Sequence, residues 1–160
     1  MRLAVLYALS LFAALVLQFV QVPDWLAVVW PAWTTLLLAA WAVHAERLPH
    51  LPVAVVLGVI LDVGFAAPLG EHALALLVVI FLAMRMRPTL ETVSWWHGAL
   101  LMLPVWLLGA AILAVIDHVA HHEAVAALRW LPTLSGAVLW PVFSSWVGEW
   151  VHRSTRPVVE

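Results

Sequence analysis

Cysteine and lysine are both missing from this chain of 160 residues, and only 10% of its residues are charged. Without cysteine there is no disulfide, no zinc–thiolate centre and no thiol nucleophile. All seven basic residues are arginines (Arg2, Arg47, Arg85, Arg87, Arg129, Arg153 and Arg156). They form no cluster of the kind that nucleic acid requires. G-x-S-x-G, P-loop and G-x-G-x-x-G patterns are absent as well, so catalysis has no visible nucleophile or phosphate cradle. The chain reads as a non-enzyme with no implied cofactor.

What is present is apolar. With 66% hydrophobic residues and a mean hydropathy of +1.06, a chain of this size is too apolar for a soluble globule and reads as an integral membrane protein. By length it is a single domain, residues 1–160. Its apolar runs predict six spans, at about 3–20, 26–43, 51–66, 71–84, 95–116 and 131–151. The first run is longer than the h-region of a signal peptide and no A-x-A-like site follows it, so it is read as a retained span. Eleven tryptophans, mostly near the ends of runs, read as interface anchors. With six spans both termini share a side, and that side carries every arginine except Arg129. The positive-inside rule then places both termini in the cytoplasm.

One carboxylate stands out. Asp62 lies near the end of the third run, just before the turn Pro68-Leu69-Gly70. Gly58 and Ala54 precede it at intervals of four, which gives one helical stripe of small residues that another backbone can approach closely. The sequence therefore predicts a fold assembled around this helix. Asp62 suits bonds to the N–H groups around Gly70, at the start of the next helix, because a carboxylate is favoured there and disfavoured at its own helix's C-terminus. The alternative is a proton- or ion-relay group, although relays need further ionisable groups in reach.

His118 and His122 stand four apart in the run Asp117–Glu123, as do Asp117 and His121, and such a pair could chelate a metal. The run implies no distant ligand, and the other reading is a polar cap on a helix end. No metal is assigned. His44, His97 and His152 fall at the ends of spans, which suits interfacial residues better than haem ligands. In the last span Gly136 offers room for a neighbouring helix, and Pro141, after Trp140, predicts a bend.

Four patterns recur in order: Pro31-x-Trp33 followed by Leu36-Leu37-Leu38 and Trp41; Gly58-x-x-Leu61-Asp62; Pro68-Leu69-Gly70; and Gly136-Ala137-Val138-Leu139-Trp140-Pro141. Together they resemble MreD, the small polytopic subunit of the bacterial rod-shape machinery, over essentially the whole chain. A departure is Trp30, where that family often carries a polar or basic residue. The resemblance implies a non-enzymatic inner-membrane scaffold that binds the single-span MreC. MreB filaments, RodA and a class B penicillin-binding protein share the complex, which makes side-wall peptidoglycan. It also implies a six-helix bundle similar to the substrate-binding component of energy-coupling-factor transporters, a likeness of fold that transfers no function. Two other classes remain open. A small-molecule or lipid-precursor-binding transporter component would need a cavity lined by convergent polar groups, and the spans supply few. A metal-dependent membrane enzyme would have to use residues 118–123.

Overall fold

The computed structural model describes residues 2–121 and 130–155. Among these residues there are seven helices and no strand: α1 (Arg2–Phe19), α2 (Asp24–Ala27), α3 (Trp33–His44), α4 (His50–Gly64), α5 (Glu71–Leu90), α6 (Trp95–His121) and α7 (Leu131–Thr155).

The centre is α3. Of its 12 residues, Thr34 and the whole run from Leu36 to Val43 are buried. A helix that is apolar on every side has no face to give to solvent or lipid and takes the core. It touches α1, α4, α5 and α7. This corrects the expectation that the fold is assembled around the Asp62 helix. α4 is one-sided: Ala54, Leu57, Gly58, Leu61 and Asp62 are buried, while Val55, Val56, Val59, Ile60 and Val63 are exposed. The small-residue stripe holds α4 to a neighbour but does not make it central. On α1, similarly, Tyr7, Leu11 and Ala14 face inward, and Val5, Leu9, Phe12 and Val16 face out.

Several boundaries move. The second apolar run is broken: α2 is four residues long, and α3 begins only at Trp33, after Pro31. Pro31 is thus ahead of the helix, and it is buried. The fourth run does not stop at Arg85: α5 carries on through Arg85, Arg87 and Pro88 to Leu90. Likewise α6 continues past residue 116 to His121, so Asp117 and His118 are helical. Both α6 and α7 remain helical across Pro104 and Pro141. Glu71–Leu90 and Trp95–Ala120 are long and apolar enough to cross a membrane, whereas Leu3–Phe19, Trp33–His44 and His50–Gly64 are apolar but shorter.

The tryptophans divide. Trp25 and Trp95 are well exposed, as anchors would be, but Trp41, Trp106 and Trp140 are buried. Trp106 and Trp140 meet edge to face with centroids 5.8 Å apart, fastening α6 to α7.

Candidate functional site

The turn between α4 and α5 is built by its own backbone and closed by Asp62. After α4 ends, Ala66 takes a left-handed conformation (φ 52°) and the Ala67 N–H bonds back to the Asp62 carbonyl at 2.9 Å. This is the six-to-one bond of a Schellman-type terminus. Gly70, at φ 98°, then redirects the chain into α5; a residue with a Cβ would be strained there.

The Asp62 side chain is fully buried and reaches across the turn. Oδ2 accepts the Gly70 N–H at 2.8 Å, and Oδ1 accepts the His72 N–H at 2.7 Å. His72 Nδ1 lies 2.9 Å from the same Oδ1. The first N–H groups of any helix lack intrahelical acceptors, and here a carboxylate from the preceding helix supplies two. These are the bonds that the position of Asp62 leads one to expect. Glu71, at the first turn of α5, is also buried.

Below the turn, Gly58 faces Ala73. A Cβ built on Gly58 would collide with the Ala73 backbone, so the two helices approach at a distance only glycine allows. Ala54, one turn further back, is fully buried.

The opposite end of α5 has the complementary device. Arg87 Nε and Nη2 both donate to the Ala42 carbonyl, the former at 3.2 Å, in the last turn of α3. A cation at a helix C-terminus satisfies an orphan carbonyl and has the right sign for the dipole. Glu46 lies 3.8 Å from Arg87 Nη1, but its side chain is 88% exposed, so this pair contributes little. Arg87 is therefore a tethered helix residue rather than a free loop charge.

Also at this end, His50 Nε2 donates to the Ala45 carbonyl at 2.6 Å, which leaves Nδ1 to accept from the Tyr7 hydroxyl at 3.3 Å. Trp41 Nε1 donates to Ser10 Oγ at 3.0 Å, and Ser10 in turn donates to the Tyr7 carbonyl at 2.9 Å. α1, α3 and the start of α4 are thus linked by buried and part-buried polar contacts. His44 Nε2 is 2.9 Å from Ser144 Oγ, linking α3 to α7.

The remaining sequence candidates disperse. Trp33 packs edge to face on Trp30 at 5.5 Å and on Phe143 at 5.8 Å, at the entry to α3. Trp140 is core, with Pro141 beside it only partly buried. Gly136 admits no close helix: a Cβ there would meet nothing within 4 Å. The room expected for a neighbouring backbone is open space. His118 lies near the end of α6, while His122, Arg129 and Arg156 fall outside the described residues.

The sequence reading missed His72, Tyr7 and His50 as partners in these networks, and Glu71 as a buried carboxylate. Glu71 and His72 directly follow Gly70, and that adjacency to the turn was the available signal. Nothing local pairs Tyr7 with His50, which is 43 residues away.

The model of the family described as rod shape-determining protein MreD matches residues 1–148. The chain belongs to the MreD family. It is therefore a membrane protein of the kind that determines rod shape. No curated protein and no solved structure matches it.

Proposed function

We propose that this MreD-family chain is a non-enzymatic scaffold of the bacterial inner membrane that binds MreC directly. MreB, RodA and a class B penicillin-binding protein stand in the same complex, and its output is side-wall peptidoglycan synthesis and cell shape. The observation that carries this reading is the family match across residues 1–148. The exposed apolar faces of α1 and α4 are consistent with lipid and a partner's transmembrane helix as neighbours.

In this reading the chain is one domain, residues 1–160, of six spans with both termini cytoplasmic, arranged like a transporter substrate-binding component. α3 alone, at about 1.5 Å per residue, covers only ~18 Å of an apolar layer of ~30 Å. The second span is then α2, the bend at Pro31 and α3 in series, with Pro31 itself buried at the bend. Ala54, Gly58, Asp62 and Gly70 hold the α4–α5 hairpin and the buried Pro31 and Trp140 hold the core, while the partly buried Trp33 and Pro141 border the surface on which a partner packs.

The test is co-purification of the tagged protein from its native membrane in mild detergent, with mass spectrometry of what accompanies it. Recovery of an MreC-like single-span protein in fixed proportion is the expected outcome. Recovery of an ATPase module instead would replace the scaffold with the transporter component.

A further inference from the structure

Between the N-terminal parts of α3, α5 and α7 and the second half of α6 lies a cavity of about 240 Å³. Its wall is mostly apolar, with Leu36, Leu61, Leu76, Val79 and Leu113 among the contributors. Three further features set it apart from a packing fault. Trp106 lines it, is 7% exposed, and its buried indole Nε1–H has no acceptor among the described residues. A buried donor without an acceptor is costly and rare, and calls for an account. His72, held by Asp62, lines the cavity as well and is partly exposed. Gly136 lies in the wall with open space where its side chain would project. Water is a poor filler, because it needs two to four polar partners and the wall offers few.

We propose that this cavity is a lipid-chain site. It takes the head-proximal part of one apolar chain, whose terminal ester or phosphate oxygen accepts the Trp106 Nε1–H, with His72 as a second polar contact and the rest of the chain leaving through the open side. The match is chemical: a mostly apolar wall calls for hydrocarbon, and one orphan donor in it calls for one acceptor oxygen. A glycerophospholipid and a polyprenyl phosphate both supply that combination. The site is independent of the proposed MreC contact, since it lies between helices of this chain.

The experiment is native mass spectrometry of the delipidated protein in detergent, titrated separately with dioleoylphosphatidylglycerol and with a polyprenyl phosphate. Wild type, Gly136→Leu and Trp106→Phe are compared, with the thermal unfolding midpoint of each recorded. Gly136→Leu places a side chain in the cavity from a position where a Cβ meets nothing. It is expected to keep the wild-type midpoint or raise it while abolishing one-to-one binding. Trp106→Phe keeps an aromatic ring without the donor and is expected to weaken binding about tenfold, the loss of one hydrogen bond to a charged or strongly polar acceptor. The lipid that binds wild type in a one-to-one complex identifies the source. Binding of neither lipid overturns the proposal, as does binding that Gly136→Leu leaves unchanged. Co-purification of MreC is a separate readout, so failure here is distinct from failure of the scaffold reading.

Discussion

Asp62 Oδ1 and the backbone nitrogen of His72 are 2.7 Å apart, although ten residues and a reversal of the chain separate them. One carboxylate thereby closes α4 onto α5 and caps α5 against its dipole.

Replacing Asp62 with leucine leaves the Gly70 and His72 N–H groups without their acceptor. The expected loss is about 3 kcal/mol, the scale of two hydrogen bonds to a charged group less what water recovers. Asp62→Asn retains one acceptor oxygen and should fall between the two. The readout is the apparent unfolding midpoint in detergent together with membrane abundance. An unchanged midpoint for Asp62→Leu would remove this bond set from any account of stability.

Gly58 and Gly136 should respond oppositely to the same substitution. Gly58→Ala drives a Cβ into the Ala73 backbone and should destabilise by more than about 2 kcal/mol, because a helix must shift. Gly136→Ala meets open space and removes a flexible residue from a helix interior, so a gain of about 0.5–1 kcal/mol is expected. Equal effects at both sites would refute the close α4–α5 approach.

Ala66 holds a left-handed conformation at φ 52°, which L-residues other than glycine adopt at a cost of about 1–2 kcal/mol. Ala66→Gly should therefore raise the midpoint slightly, the relief of strain being partly offset by the greater freedom of an unfolded glycine. A marked fall would mean that the alanine methyl makes contacts that outweigh the strain.

Arg87→Met removes both donors to the Ala42 carbonyl while retaining much of the apolar stem. A loss of about 1–3 kcal/mol is expected, and Arg87→Lys should recover part of it by restoring the charge. If lysine recovers nothing, the two-pronged geometry rather than the charge is what α3 requires.

The absence of native cysteine makes topology directly measurable. Leu69, which is 79% exposed at the α4–α5 turn, and Glu91, exposed after α5, can each be replaced by a single cysteine. With cytoplasmic termini and six spans, a membrane-impermeant maleimide should label Leu69→Cys in intact cells and Glu91→Cys only after lysis. The reverse pattern would overturn the proposed orientation.

The sequence alone determined that this chain is all-helical and membrane-embedded, and it placed the α4–α5 turn and the role of Asp62 there. Those features are local or compositional: apolar runs, and a carboxylate eight residues before a glycine that begins a helix. It misjudged where helices begin and end. Pro31 breaks a run whose composition is continuous, and α5 passes through Arg85 and Arg87 because Arg87 finds a carbonyl on α3 that no local pattern announces. Tertiary packing alone decided which helix is central. α3 and α4 are almost equally apolar, but only α3 is covered on all sides, and burial depends on what other helices bring to each face. The same reason hid the open space beside Gly136: a missing side chain looks identical in sequence whether a backbone or a cavity lies opposite.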